Sequence, residues 1–302
     1  ESLLDKSLIR QAEGASGEAR FIMLETIREY AFEKLAQGGE LPEIQQAHAH
    51  YMGVFLEKVT GALSGPEEVN WFAKVDDELD NLRSAMEWAF AHDQPLIVLK
   101  TGRLYQYWTQ RGNIREPLGW LERAIAIESG VSLSEQPWAM NGAGNLLKDL
   151  GETQRARAYY EPALELFRQA GDKKGASRPL GNLGNIAWAE KDFEKARQLY
   201  EESLRDGEEL DSWGHAMTLN NLGSLARIRG DWQESREYYL HSLEICEKLG
   251  AEAGISFAKS FLGTLSIVQR KLDEGRAYFE SAMKASWVRA NPYSQGLSNG
   301  IL

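Results

Sequence analysis

Four glycines recur along the chain at nearly constant spacing. They are Gly144, Gly184, Gly223 and Gly263, at intervals of 40, 39 and 40 residues, and each lies inside a similar apolar pattern of helical period. A fixed period near 40 residues is typical of a helical solenoid, in which every repeat is a helix pair packed against its neighbours. Such arrays present extended surfaces for binding and rarely carry a reaction, so the period favours a binding protein.

Each copy repeats further positions at fixed offsets from its glycine. A small residue comes twelve positions on, an aromatic residue sixteen on and a second small residue nineteen on. Helical spacing puts these positions on one face of a second helix, where small residues let helices approach and the aromatic ring fills the remaining gap. The aromatic positions hold Tyr160, Tyr200, Tyr239 and Phe279, and the small positions hold Ala156, Ala196, Ser235 and Gly275, then Ala163, Ser203, Ser242 and Ala282.

A turn is predicted between the two helices of each copy. The turn residues read Gly151-Glu152, Lys191-Asp192, Gly230-Asp231 and Lys271-Leu272, as a helix end followed by the next helix start would. A weaker copy lies upstream around Gly112-Asn113, with Tyr105, Leu121 and Ala124 at the repeated positions. Downstream, Ser294 to Leu302 reads as the start of another first helix, so we expect the array to be truncated at the C-terminus.

From about residue 95 to 302 this pattern closely resembles the tetratricopeptide repeat in its longer form. The segment TLNNLGSLARIRGDWQESREYYLHSLEICEKLG is similar to repeats of kinesin light chain and of bacterial peptide-sensing regulators. The resemblance implies an all-α fold for residues 95–302, a right-handed superhelix of antiparallel helix pairs.

The N-terminal third does not follow the repeat. Ser2 to Leu8 is a candidate for a short helix, Ser7 to Glu13 and Arg20 to Leu24 resemble strands around a glycine-containing hairpin tip, and a helix follows from Glu25. Residues 1–40 therefore read as the C-terminal part of a winged-helix domain. Residues 41–94 read as a helical arm, with Trp71, Leu79, Leu82, Ala85, Met86 and Ala89 on the core face of its second helix.

The string LLDKSLIRQ, followed by RFIMLETIREYAFEKLAQGGE, is similar to the end of the nucleotide-binding module in bacterial STAND regulators, which are signal-transducing ATPases related to NB-ARC proteins. In that family a histidine near this point senses the phosphates of the nucleotide, and Leu24 stands at its position here. No GxxxxGK[ST] loop occurs in the sequence, which begins at Glu1. We therefore expect no cofactor in this chain, with ATP or ADP bound only in an upstream module of the parent protein.

Net charge, the lengths of apolar runs and cysteine content limit the partners and the location that this protein can have. The net charge of −11 opposes binding to a phosphate backbone, so direct contact with nucleic acid is not expected. No apolar run is long enough to span a bilayer, and the first residues of the sequence do not have the pattern of a signal peptide. The single cysteine, Cys246, fits a reducing compartment, so a cytoplasmic location is expected.

Catalytic or metal chemistry finds little support. The histidines are His48, His50, His92, His215 and His241, and only the first two lie close in sequence, on different faces of a helix. Cys246 is expected to be a buried apolar residue, and the carboxylate runs fit solvated helix faces. We predict neither a catalytic nor a metal site, and no enzyme activity.

The predicted binding site lies on what we call the inner face, formed by the residues at −3, −2, +1 and +4 from each glycine on the first helices, with residue −6 one turn earlier. Asparagine recurs there, and a carboxamide both donates and accepts hydrogen bonds, so such residues could hold the backbone of an extended peptide. Equally, these asparagines could bridge neighbouring repeats without touching a ligand, and Trp188 could belong to the core. The candidate ligand-binding residues are Trp138, Asn141, Asn145, Lys148, Arg178, Asn182, Asn185, Trp188, Asn220, Asn221 and Arg227.

Two functions are consistent with these features. The resemblance to STAND regulators implies a sensor region, which binds an inducer (a peptide, a protein or a small molecule) and relays its presence through the arm to the protein's own ATPase core. The alternative is a constitutive scaffold that docks a protein partner without switching.

Overall fold

The structure is a computed structural model that describes residues 3–62, 68–127, 134–207 and 213–283. The helix predicted from Ser294 lies outside the described residues. The chain divides between Gly151 and Glu152 into two compact units. The predicted domain boundaries at residues 40 and 94 stay predictions.

The first compact unit begins with the predicted hairpin. Strands β1 (Ile9–Glu13) and β2 (Ala19–Met23) pair antiparallel with Ile9 opposite Met23, and helix α1 (Glu25–Gly38) follows. The prediction of a short helix from Ser2 to Leu8 is wrong for the part that the structure describes. Residues 3–7 form turns, and Ser7 has a left-handed backbone with φ of 57°. A stretch this short does not offset the cost of forming the first helical turn.

Two long helices, α2 (Leu41–Ala62) and α3 (Glu68–Ala91), form the predicted arm and pack against each other. On α3 the predicted core residues Leu82, Ala85, Met86 and Ala89 are buried, whereas Trp71 and Leu79 are half-buried. The first compact unit continues with α4 (Pro95–Lys100), a 3₁₀ turn (Thr101–Leu104), α5 (Tyr105–Gln110), α6 (Arg115–Ile125) and α7 (Gln136–Asp149).

One carboxylate on α3 holds the tip of the hairpin. Asp77 accepts hydrogen bonds from the backbone N–H groups of Ala15 and Ser16, at 2.7 and 3.1 Å, and from the Ser16 hydroxyl at 2.7 Å. Arg20 lies 3.8 Å from Asp77, and Lys74 pairs with Glu18 at 2.6 Å. The hairpin is therefore anchored to the arm by charge-assisted contacts.

The second compact unit is a stack of helix pairs. Helices α9 and α10, α11 and α12, and α13 and α14 form the pairs, and the second helix of one pair packs against the first helix of the next. The helices are α8 (Thr153–Gln169), α9 (Lys173–Ala189), α10 (Phe193–Asp206), α11 (Trp213–Arg229), α12 (Trp232–Lys248), α13 (Glu252–Val268) and α14 (Leu272–Met283).

Contact between the repeated glycine and the repeated aromatic ring sets the closeness of each pair. A Cβ atom added at Gly184 would lie 2.5 Å from Cε1 of Tyr200, and one at Gly223 would lie 2.6 Å from Cε1 of Tyr239. Since no side chain fits between backbone and ring, glycine is required there. All the predicted small and aromatic positions are buried, which confirms the offsets as packing positions.

The turns follow the same register. The residue seven positions after each glycine has a left-handed backbone, with φ of 79° at Gly151, 64° at Lys191, 88° at Gly230 and 63° at Arg270. The fourth predicted turn was thus placed one residue too late, because the left-handed residue is Arg270. The weaker upstream copy follows the rule as well, since Gly112 lies seven residues after Tyr105 and has φ of 69°.

Replacement of Gly223 by alanine tests the packing at the ring. We expect Gly223→Ala to lower the free energy of unfolding by about 1–3 kcal/mol, because the new methyl group overpacks against Tyr239. Gly214→Ala in the same helix is the matched control, since a Cβ there meets nothing within 4 Å, and it should be neutral or stabilising by up to about 1 kcal/mol. Circular dichroism during urea unfolding measures both changes, and equal stability of the two variants would contradict the packing argument.

The anchor at Asp77 predicts a pH dependence. Burial favours the neutral acid, but hydrogen bonds from Ser16 and Ala15 and the charge of Arg20 outweigh it and lower the pKa of Asp77. Because its pKa is lower in the folded state, Asp77 contributes stability at pH values above its unfolded pKa of about 3.9. This contribution is lost as the pH falls through the folded pKa. The amide resonances of Ala15 and Ser16 should therefore titrate with a midpoint below about 3.9.

Asp77→Asn serves as the control for this titration, because the amide carries no proton to titrate. The resonances of Ala15 and Ser16 should then stay constant over the same acid range. A wild-type midpoint above the ordinary aspartate value would show that the carboxylate does not hold the hairpin.

Candidate functional site

The inner face is continuous within the second compact unit, because α9 contacts α11 and α11 contacts α13. Asn185 and Arg178 on α9 are exposed, and Asn182 on the same helix is half-buried. On α11, Asn221 and Arg227 are half-buried. The structure thus brings the predicted asparagines of two consecutive repeats onto adjacent helices.

Asn185 is the centre of a hydrogen-bond network. Its Oδ1 atom accepts a bond from the Tyr200 hydroxyl at 2.8 Å and a second from Nδ2 of Asn221, also at 2.8 Å. A carboxamide oxygen has two lone pairs, so these two bonds occupy Oδ1 fully. The Asn185–Asn221 bond joins neighbouring repeats, as the bridging interpretation of the asparagines requires, and it leaves Nδ2 of Asn185 and Oδ1 of Asn221 outside the network.

The next repeat uses the same position differently. The residue one after the glycine is Ser224, and its hydroxyl lies 3.0 Å from the Tyr239 hydroxyl. In the fourth repeat the aromatic residue is Phe279, which has no hydroxyl, and Thr264 donates instead to the carbonyl oxygen of Ser260 at 2.9 Å. In these two repeats the residue directly after the glycine is therefore the hydrogen-bond partner of the tyrosine hydroxyl: Asn185 for Tyr200 and Ser224 for Tyr239.

The sequence predictions missed this role of the tyrosines. The offsets identified an aromatic position but treated tyrosine and phenylalanine alike, since both rings fill the same space. Tyr200 and Tyr239 carry a buried hydroxyl that Phe279 lacks, and that hydroxyl could have predicted a polar partner opposite the two tyrosines.

Asn220, next to Asn221 on α11, is a buried carboxamide. Its exposed fraction is 1%, and neither its Nδ2 nor its Oδ1 has a hydrogen-bond partner within the described residues. An unsatisfied buried polar group costs about 1–3 kcal/mol, so a water molecule or a ligand group would stabilise this position.

Trp188 contributes to the core as well as to the inner face. Its ring lies 5.5 Å from that of Phe193, and it packs against the buried cluster that contains Ala187, Tyr200 and Leu222. The indole is half-buried, so part of its surface remains accessible.

The remaining predicted residues lie on α7, in the first compact unit. Asn141 and Asn145 are buried, with exposed fractions of 5% and 4%. Trp138 is half-buried, with the Arg103 guanidinium 4.1 Å from its ring centre. Lys148 is exposed and pairs with Asp149 at 3.1 Å. Contact of these four residues with a ligand stays a prediction.

Metal binding, thiol reactivity and membrane insertion each place requirements on the described residues. In the ranges that the structure describes, no three His, Cys, Asp or Glu residues group closely enough to hold a metal ion. Cys246 is buried against Gly254, and burial raises the pKa of its thiol to about 11. Among the same residues, no helix has both the length and the apolar character to cross a membrane.

The repeats match a known family. Residues 135–209 and 214–284 fit the family model described as tetratricopeptide repeat. With the stacked helix pairs and the N-terminal hairpin, this match confirms the predicted fold class: a tetratricopeptide-repeat array preceded by further helices and a two-stranded sheet.

Relatives by sequence carry the name "Putative HTH-type transcriptional regulator". Two of them, from Mycobacterium bovis and Mycobacterium tuberculosis, are each 31% identical over 194 residues, which is 60% of this chain. The chain matches only 21% of the length of these relatives.

Solved structures show the same fold at low identity. The apo form of the quorum sensor NprR from B. thuringiensis has a TM-score of 0.63 at 17% identity, over 92% of this chain and 74% of that one. NprR in complex with its cognate peptide NprX has a TM-score of 0.60 at 17% identity, over 91% and 76%. BtubC from P. vanneervenii has a TM-score of 0.56 at 19% identity, over 73% and 91%.

The reactivity of Cys246 is predicted from its burial. A thiol with a pKa near 11 carries almost no thiolate at neutral pH, and the thiolate is the nucleophile. Iodoacetamide at pH 7.5 should therefore leave the native protein unmodified and alkylate it fully in denaturant, as mass spectrometry would show. Alkylation of the native protein at a rate within tenfold of the unfolded chain would contradict the buried, neutral thiol.

Proposed function

We propose that the inner face of α9 and α11 binds an extended peptide, and that this chain is the ligand-sensing region of a larger signalling regulator. The observation that carries the proposal is the Asn185–Asn221 pair, because two neighbouring repeats together leave one amide donor and one carbonyl acceptor outside their own network. A peptide backbone offers the complementary groups at every residue.

Neighbouring groups support the same ligand class. Arg178 and Arg227 bring positive charge to the inner face of a chain whose net charge is −11, and could pair with a carboxylate of the ligand. Trp188 offers part of a ring for apolar contact.

The comparisons support a regulatory context for the proposal. The relatives are named as transcriptional regulators, and NprR, with the same fold, is a quorum sensor solved with its cognate peptide. On the resemblance of residues 1–40 to the end of a STAND nucleotide-binding module, we propose that peptide binding is relayed to an ATPase core that binds ATP or ADP elsewhere in the parent protein. We place this sensor in the cytoplasm, with neither an enzymatic activity nor a cofactor of its own.

A selection from a phage-displayed library of random linear heptapeptides tests the binding proposal. Enriched peptides should lose about tenfold or more in affinity for Asn185→Ala/Asn221→Ala, because two hydrogen bonds to the ligand are removed. Gln233→Ala is the control, since it removes an exposed carboxamide from the second helix α12, and should retain wild-type affinity. Failure to enrich any peptide, or equal affinity for the double variant, would refute the peptide site.

Hydrogen exchange with an enriched peptide separates a sensor from a constitutive scaffold. A sensor couples two sites, so the peptide should also change exchange in the hairpin, residues 9–23, which Asp77 anchors to the arm. Protection confined to α9 and α11 would instead favour a scaffold that docks its partner without switching.

A further inference from the structure

Exposed apolar side chains gather at the turns of the second compact unit. In the described part of this unit, five of the seven large apolar side chains that are exposed lie at the fifth or ninth position after a repeated glycine. Single exposed apolar residues are ordinary, but a cluster of them marks an interaction surface. We call this cluster the turn ridge, and its members, between 37% and 65% exposed, are Phe193, Ile228, Trp232, Val268 and Leu272.

The stacking of the repeats places the turns side by side. Helix α9 contacts α11 and α11 contacts α13, and each of these first helices ends at a turn seven residues after its glycine. Since the first helices of a stacked array run in the same direction, their three turns lie at one end of the second compact unit. Neighbouring helices pack about 8–10 Å apart, so the side chains of successive turns form one apolar surface.

The repeat does not need apolar residues at these two positions. Counted from Gly144, the first repeat has Asp149 at the fifth position and Thr153 at the ninth. Its turn nevertheless forms as the others do, with Gly151 in the left-handed conformation. The turn ridge is therefore a property of the later repeats and not a requirement of the fold, which favours a role in binding.

The charge beside the turn ridge changes from one end to the other. From the sixth to the tenth position after the glycine, the net charge is −2 in residues 190–194, 0 in residues 229–233 and +1 in residues 269–273. All the charged side chains in these ranges are exposed. Glu190 also pairs with Arg157, and the direction of the change stays the same when that arginine is counted. One end of the ridge is thus complementary in charge to the other.

We propose that the turn ridge binds a second copy of this chain, in a two-fold arrangement in which the two ridges run antiparallel. The turn with Ile228 and Trp232 then lies near the two-fold axis and packs against its own copy. Phe193 of each copy faces Val268 and Leu272 of the other. The positive end of each ridge meets the negative end of the other, whereas a parallel arrangement would place the two positive ends together.

Sedimentation equilibrium of the whole chain measures this association. Because three turns form a small contact area, we expect a dissociation constant on the order of 10–100 µM in about 150 mM salt, which screens the repulsion between two acidic copies. Trp232→Asp should weaken the dimer about tenfold or more, because it places a carboxylate at the apolar centre. Leu240→Asp is the matched control, since Leu240 is a similarly exposed residue of α12 outside the ridge, and it should keep wild-type affinity.

Disulfide cross-linking at the tenth position tests the antiparallel orientation. Glu194, Gln233 and Asp273 occupy this position in successive repeats and are all exposed, whereas the native Cys246 is buried. Under oxidation by copper phenanthroline, Gln233→Cys should form linked dimers with itself, because it lies near the two-fold axis. Asp273→Cys should not link to itself, and should link only when it is mixed with Glu194→Cys.

Each result supports or overturns the dimer. A chain that remains monomeric up to about 1 mM, tenfold above the expected range, would refute it, as would a dimer that Trp232→Asp leaves unchanged. Should Trp232→Asp fail to fold, Leu272→Asp must weaken association instead, since that side chain is 65% exposed. Self-linking of Asp273→Cys as fast as Gln233→Cys would show that the copies run parallel. The turn ridge shares no residue with the inner face, so these results leave the peptide site to its own test.

Discussion

Contact between a bare backbone and a buried ring underlies the repeat architecture. At Gly184 and Gly223 the missing side chain lets the first helix rest directly on the tyrosine of the second, at a distance where no methyl group fits. This closeness also brings the tyrosine hydroxyl within reach of the residue after the glycine. Packing in the core and chemistry on the inner face therefore depend on the same contact.

Charge between successive repeats plays a smaller part. Arg157 pairs with Glu190 at 2.5 Å and Arg236 with Glu274 at 2.7 Å, so each pair joins consecutive repeats of the second compact unit. All four side chains remain partly exposed, so solvent screens both pairs and their contribution to stability is small. The stack relies instead on buried rings and small residues.

The architecture was predictable because it follows from periodic packing. Helix pairs, their turns and the buried small and aromatic positions all recur at fixed offsets, and a repeated pattern can be checked against its own copies. The hairpin at residues 9–23 was predictable for another reason, since strand-forming residues flank a glycine-containing tip. The short helix expected before it did not form in the described part, because a run of seven residues is too short to offset the cost of the first helical turn.

The polar contacts could not be read from the sequence. Asp77 holds a hairpin 61 and 62 residues away, and Asn221 reaches an asparagine 36 positions back. Such bonds depend on side-chain orientation, which hydrophobic periodicity does not specify. The sequence left open whether the asparagines bridge repeats or face a ligand, and at Asn185 one end of the carboxamide bridges while the other remains for a partner.

The aromatic position holds tyrosine in some repeats and phenylalanine in another, and this difference affects which residues can evolve on the inner face. Where a tyrosine lies under the glycine, as at Tyr200 and Tyr239, the residue after the glycine offers an oxygen to its hydroxyl: exposed Asn185 in one repeat and buried Ser224 in the next. Phe279 imposes no such demand, and the residue above it, Thr264, donates to the Ser260 carbonyl oxygen instead. Loss of one buried oxygen atom, with no change of backbone, would thus let natural selection rewrite the binding surface one repeat at a time.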